Sequence, residues 1–214
     1  MVEIVQRPRV IVFAKAPAPG RVKTRLIPVL GAERAAELQR VFVLDVIERL
    51  APLGDRIRVE LHTDQPTDAW NELKIPGGLQ SGGDLGARLR HAIAAALEEG
   101  SSQVVILGGD APTLPVSHLA ALLDSPADVA LGPAEDGGYW GIGCRRWHER
   151  MFDGVVWSDP RTLGQTRHAA EACGLSVDVG PTWYDVDSIA DLERLAACPN
   201  LPDHTARWFR RYRR

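Results

Sequence analysis

The chain has 214 residues, 45% hydrophobic and 25% charged, with a formal charge of −3 and a pI near 6.1. That is an ordinary globular balance, and a chain of this size buries roughly 70–75% of its unfolded surface without disulfide or metal staples. The mild acidity speaks against a wholesale nucleic-acid binder, and three scattered cysteines (Cys144, Cys173, Cys198) with no C-x-x-C and no H-x-x-x-H pair speak against a disulfide framework or a zinc cluster.

Arg9 to Ala14 is a continuous apolar run between Pro8 and the Ala16-Pro-Ala-Pro-Gly20 breaker, as expected of a strand buried on both faces. The run is too brief for a secretory signal. A long loop follows from Lys15 to Gly31. Glu33 to Leu50 reads as a helix, with Val43, Val46, Ile47 and Leu50 on one stripe. Asp45, Glu48 and Arg49 keep this most apolar helix from spanning a membrane. A second strand is expected over Ile57–Thr63, then a glycine-rich stretch (Gly77–Gly86) and a helix near Ala87–Glu99. Gln103–Leu107 closes on Gly108-Gly109 and is the clearest strand. Pro115–Leu123 is a short helix with a proline-started first turn. Strands are expected at Asp128–Leu131 and Tyr139–Gly143, a helix at Thr162–Ala172, strands at Leu175–Val179 and Trp183–Val186, and a last helix at Ile189–Ala197. Strand, loop and helix alternate without a long linker or repeat. The pattern predicts one α/β domain over residues 1–214, a mostly parallel sheet with helices on both faces. Its core is expected over about 9–197, with a basic tail over 198–214. Arg207-Trp-Phe-Arg-Arg-Tyr-Arg-Arg214 reads as a solvated, frayed end. A soluble, cytoplasmic protein is the expectation.

In such sheets ligands bind at the carboxyl ends of strands, which gives weight to four stretches. The loop after the first strand carries Lys15, Arg21, Lys23 and Arg25 beside Gly20, a set suited to phosphate oxygens. It is neither a Walker A loop nor a G-x-G-x-x-G fingerprint; a solvated basic loop is the plainer alternative. Gly108-Gly109-Asp110-Ala-Pro-Thr-Leu-Pro115 puts a carboxylate at the end of the clearest strand, placed for Mg²⁺ or Mn²⁺ or, less simply, for capping the next helix, with Gly109 beside it as a candidate phosphate contact. Gly132 to Gly143 surrounds Glu135 and Asp136 with five glycines. There Asp136-Gly137-Gly138 is either a turn offering backbone amides to a ligand or a plain hairpin. In Trp183-Tyr-Asp-Val-Asp-Ser188, Asp185 and Asp187 alternate and point the same way. Either Asp187, with Asp185, joins Asp110 at a metal, or Asp187 or Ser188 caps the last helix. Gln80 to Leu89 is a weaker candidate for substrate contact, since Asp84 also fits a helix cap.

Taken together, F-A-K-A-P-x-P-G-x-V-K-T-R-L, G-x-D-x-P-x-L, G-P-A-x-D-G-G-Y and Y-D-V-D-S-x-x-D-L resemble the bacterial radical-SAM/selenodomain-associated transferase family. Its members carry the label of arsenosugar-biosynthesis-type glycosyltransferases of the nucleotide-diphospho-sugar transferase superfamily, with the GT-A fold. The likeness covers about residues 9 to 195. A more distant similarity, through K-[ST]-R-L and a late D-V-D-[ST], is to 2-phospholactate guanylyltransferases. The resemblance implies that Lys23 and Arg25 bind nucleotide phosphates and that Asp110 and Asp187 hold a metal. The chain lacks the G-x-G-T-R signature of sugar-nucleotide pyrophosphorylases and a D-x-D at Asp110. Three readings follow. The first is glycosyl transfer from a nucleotide sugar to a small acceptor, with Asp110 and Glu135 or Asp136 taking part in the chemistry. The second is nucleotidyl transfer from a nucleoside triphosphate to a small phosphorylated substrate, with pyrophosphate leaving. The third is non-catalytic nucleotide binding, which leaves two separated carboxylate motifs without purpose. The first is preferred on the family label.

Overall fold

The computed structural model describes residues 7–212. Among these residues seven strands form one sheet: β1 (Arg9–Ala14), β2 (Arg58–Thr63), β3 (Gly77–Leu79), β4 (Val104–Gly108), β5 (Val129–Pro133), β6 (Tyr139–Cys144) and β7 (Val177–Val179). Their spatial order is β3-β2-β1-β4-β6-β5-β7. All pairings are parallel except those of β6, which runs antiparallel to both β4 and β5. The helices are α1 (Ile27–Leu30), α2 (Ala32–Glu48), α3 (Leu85–Glu98), α4 (Val116–Asp124), α5 (Thr162–Ala172), α6 (Ile189–Ala196) and α7 (Asp203–Tyr212).

The apolar runs of β1 and β4 explain the layering. Val10, Val12, Val105 and Leu107 face α2 and α4, whereas Ile11, Val104 and Ile106 face α3 and α5. Both sheet faces are therefore covered, as parallel strands require. Val43, Val46 and Ile47 of α2 pack on the sheet, while its Leu38, Val41 and Phe42 turn outward to meet α6 and α7.

Three local expectations are corrected. The glycine-rich stretch contains β3, only three residues long, because Gly77 and Gly78 give the sequence no apolar alternation to read. Trp183–Val186 is not a strand; only Trp183 bridges to Ala134, and Tyr184 and Val186 turn into the core beside α6 instead. The last residues described are no frayed tail. Thr205, Trp208 and Phe209 form the buried stripe of α7 against α2, between arginines that stay outside. Burying each of the two aromatic rings contributes about 1.5–3 kcal/mol. Asp45 of α2 caps this helix from outside: its carboxylate accepts from the His204 and Thr205 backbone N–H groups at 3.0 and 2.8 Å and from the Thr205 hydroxyl at 2.6 Å. Arg213 and Arg214 lie outside the described residues. No helix among the described residues is long and apolar enough to cross a membrane.

Candidate functional site

β1 is followed on one side by β2 and β3 and flanked on the other by β4, so the strand order reverses between β1 and β4. A parallel sheet opens a crevice at such a point, beyond the carboxyl ends of the two strands. A cleft of about 600 Å³ lies there, with Ala14 and Lys15 on its floor from β1 and Gly108 and Asp110 from β4.

Two backbone bonds bring the separate motifs together. Val186 N–H donates to the Asp110 carbonyl at 3.0 Å, which sets Asp185 and Asp187 beside Asp110. Ala16 N–H donates to Asp64 Oδ1 at 2.7 Å, which ties the basic loop to the end of β2. Lys23 is held in the left-handed conformation, φ 47°, and starts the helical turn Thr24–Leu26. That backbone turns its side chain inward, over the Phe42 ring at 5.5 Å, until only 3% of it remains exposed. The ammonium donates to Asp110 Oδ1, to Asp187 Oδ1 at 2.9 Å and to the Val186 carbonyl at 2.9 Å. Burial pulls the lysine pKa down, but Asp110 and Asp187 together outweigh it and hold the ammonium above its ordinary value.

Asp185 lies deeper. Burial, and then the neighbouring Asp110, Asp187 and Asp136 carboxylates, push its pKa up to about 7, with Lys23 opposing. Crowded carboxylates of this kind mark sites that hold extra positive charge. The donors here are all oxygens, and two carboxylates and a backbone carbonyl already converge on one cation, so the set fits a hard divalent ion.

The sequence candidates separate by place. Lys15, Lys23, Arg25, Asp110, Asp136, Gly138, Asp185 and Asp187 all line the cleft. Gly20 and Arg21 do not; Gly20 turns the loop at φ 80°, and exposed Arg21 reaches Gln65 at 3.4 Å. Gly109 is a packing residue: a Cβ there would stand 2.8 Å from Val43. Gly137, at φ 90°, is likewise outside the cleft wall, and a Cβ on it would strike the Pro160 carbonyl at 2.1 Å. Glu135 is committed elsewhere, receiving Arg194 at two points, 2.7 and 3.1 Å. Asp136 closes its own turn, accepting from Gly138 N–H at 2.9 Å. Of the capping alternatives, Ser188 and Asp191 make the capping box of α6 and Asp84 caps α3, leaving Asp187 free for the cleft.

One wall was not anticipated. Trp157, Ser158, Asp159, Pro160 and Thr162 line the cleft together with Gln80, Leu85 and Arg88. Ser158 has φ 59°, unusual for a residue with a side chain. Ser-Asp-Pro is a turn signal that a search for charged motifs passes over. Gln80 donates to the Ala14 and His62 carbonyls at 3.2 and 3.0 Å, anchoring the loop that carries it to the ends of β1 and β2.

The family described as "Uncharacterized protein conserved in bacteria (DUF2064)" matches residues 44–159. A 2-phospho-L-lactate guanylyltransferase from Methanocella arvoryzae is 31% identical over 179 residues, 81% of this chain and 74% of that protein. The crystal structure of a candidate nucleotide-diphospho-sugar transferase from Desulfovibrio desulfuricans G20 matches with a TM-score of 0.82 at 30% identity, over 96% of this chain and 97% of that one. A CMP:2-keto-3-deoxy-manno-octonic acid synthetase complexed with CTP shares the fold alone, with a TM-score of 0.59 at 14% identity over 89% and 97% of the two chains. The fold is thus the mostly parallel, GT-A-like sheet of the nucleotidyl and nucleotide-sugar transferases.

Proposed function

The chain belongs to the DUF2064 family and is a transferase, and we propose that the group it transfers is a nucleoside monophosphate. A nucleoside triphosphate is the donor, a small phosphorylated molecule the acceptor, and pyrophosphate the leaving group, in a reaction that needs Mg²⁺ or Mn²⁺. The observation that carries the reading is the shared cleft: exposed Lys15 and Arg25 on the loop after β1 line it together with Asp110, Asp185 and Asp187. Cations of that kind match the distributed charge of a triphosphate. Asp110, Asp187 and Asp185 would hold the divalent ion, which when bound supplies charge neutralisation for the phosphates. A phosphate acceptor is already anionic and needs no general base. This agrees with Asp136 being engaged in its own turn and Glu135 with Arg194. The relationship to a guanylyltransferase over most of the chain supports the same choice and makes GTP the first donor to test. Free Cys144, Cys173 and Cys198 fit a reducing compartment such as the cytoplasm, and the single sheet supports reading the chain as one catalytic domain.

Glycosyl transfer, first on the sequence label, keeps one supporting observation, the likeness to the Desulfovibrio protein. The two readings differ in leaving group. The protein is incubated with Mn²⁺, phosphorylated acceptors and separate panels of nucleoside triphosphates and nucleotide sugars, and products are resolved by mass. Pyrophosphate released from a triphosphate is the expected result. A nucleoside diphosphate released from a sugar donor, with no pyrophosphate from any triphosphate, would reverse the choice.

A further inference from the structure

A lysine placed to meet phosphate should present an N–H to the cleft, and Lys23 does not. An ammonium has three donors, and here Asp110, Asp187 and the Val186 carbonyl take all three. A phosphate oxygen can bond Nζ only after one of these contacts breaks. Asp110 Oδ1, Asp187 Oδ1 and the Val186 carbonyl are also the oxygens a divalent ion would seek in this corner, and an ion centred on them competes with the ammonium.

Removing the ammonium alone leaves Asp110 and Asp187 facing each other with no counter-charge between them, beside a third carboxylate, Asp185. A positive charge there keeps Asp110 and Asp187 together. The side chain is free to be that temporary occupant. Its backbone stands at the start of the Thr24–Leu26 turn, between buried Val22 and exposed Thr24, and its four-carbon stem can swing by rotamer change without unwinding any helix.

We propose, resting on the metal assignment of the preceding section, that Lys23 is an internal counter-ion. It holds Asp110 and Asp187 in place until a divalent ion arrives, is exchanged for it, and then turns into the cleft toward the nucleotide phosphates. Metal loading and exposure of the Lys23 amine are therefore one event.

The chain has three lysines, Lys15, Lys23 and Lys74, so each amine can be followed separately. The full chain is pulse-acetylated with an N-hydroxysuccinimide ester while Mn²⁺ is titrated without nucleotide, and the three sites are quantified by peptide mass spectrometry. Lys23 should react slowly without metal and roughly tenfold faster at saturating Mn²⁺, with Lys74 unchanged. In parallel, free Mn²⁺ is measured by electron paramagnetic resonance. Lys23→Met should bind Mn²⁺ several-fold more tightly than the native protein, and Asp110→Asn should lose that binding. If Lys23→Met does not fold, the labelling of the native chain decides alone. The proposal is overturned if Mn²⁺ binds in an Asp110-dependent way while Lys23 labelling stays flat. It is also overturned if no Mn²⁺ binds at millimolar concentration. Failure of pyrophosphate release would refute nucleotidyl transfer and leave the exchange result standing.

Discussion

Asp45 and Asp110 are both carboxylates held by donors from distant segments, and their partners differ in kind. Asp45, 1% exposed, accepts from two peptide N–H groups and a hydroxyl at the start of α7. Those donors cannot leave without unwinding the helix, and the contact works as a structural cap. Asp110, its side chain 41% exposed, faces an ammonium on a flexible stem. One arrangement is closed and neutral in its donors; the other is open to a cleft and can trade one cation for another. Asp45, Glu48 and His204 also lie close enough together to suggest metal ligands. The Asp45 oxygens are already used by α7, however, and His204 pairs with Glu48 at 2.8 Å. Proximity of ligand-type residues therefore says less about function than whether their partners can move.

The sharpest break of this comparison is Asp110→Asn. It should leave the fold intact and lower activity on the order of 100-fold or more, because a metal-held charge contributes several kcal/mol of transition-state stabilisation. Calorimetry should show loss of the metal-dependent part of nucleotide binding. Nucleotide and Mg²⁺ binding at native strength would remove Asp110 from the site.

Asp45→Ala should do the opposite, leaving Mn²⁺ binding alone while costing about 2–3 kcal/mol, the sum of a lost cap and an unsatisfied Thr205 hydroxyl. Its pH dependence has a definite sign. Burial, the largest influence, raises the Asp45 pKa, with the Thr205 and His204 bonds only partly offsetting it. A folded pKa above the unfolded one gives stability that is full below the unfolded value and lost as pH rises through the folded one. The deficit of the variant should thus widen as denaturation is repeated from pH 7 down toward pH 3. A deficit that shrinks on acidification would mean that the native state holds the charged form more tightly.

A smaller effect should come from Lys15→Ala with Arg25→Ala. Both residues are exposed, so stability should change little. A triphosphate should bind roughly tenfold more weakly, the scale of losing charge-assisted bonds, while the bare nucleoside binds as before. Equal loss for both ligands would assign the loop to structure.

Much of this was legible before any coordinates. Buried strands announce themselves through runs such as Val10–Ala14, and the cleft follows from where those runs end. The four motif stretches meet there because β1 and β4 end side by side and the Val186 N–H bond to the Asp110 carbonyl brings Asp185 and Asp187 alongside. What stayed hidden has a common cause: it depends on contacts between distant segments. Nothing local distinguishes the α7 arginines from those of a solvated tail until α2 supplies a groove and Asp45 a cap. Gly109 and Gly137 are read from the sequence as ligand-contacting glycines, and the fold adds a packing reason for each, since a Cβ would press on Val43 or Pro160. That Lys23 points inward is set by a left-handed backbone no pattern of charges encodes.

Ser158 gives the finest test of the same idea, a strained position kept by its surroundings. At φ 59° a residue with a side chain gives up about 1–2 kcal/mol relative to ordinary backbone. The turn persists because its neighbours fix it. The Thr162 hydroxyl oxygen stands 2.8 and 2.6 Å from the Val156 and Asp159 carbonyls, which share its single proton, Arg161 N–H donates to Asp159 Oδ1 at 2.8 Å, and Leu163 N–H reaches the Gly137 carbonyl at 2.9 Å. Such over-determined strain collects where a wall of a site must be held in one shape. Ser158→Gly should relieve it, less the extra freedom glycine gains in the unfolded chain, for a net gain of about 0.5 kcal/mol. That corresponds to a rise in Tm of roughly 1–2 °C for a protein of this size. Ser158→Ala keeps the strain and should show no gain. Comparing the two variants separates backbone from side chain. A KM change common to both would report a lost hydroxyl contact with substrate, and one confined to glycine would report a loosened wall. If glycine fails to stabilise relative to alanine, the left-handed turn stores no strain and the wall is held by its hydrogen bonds alone.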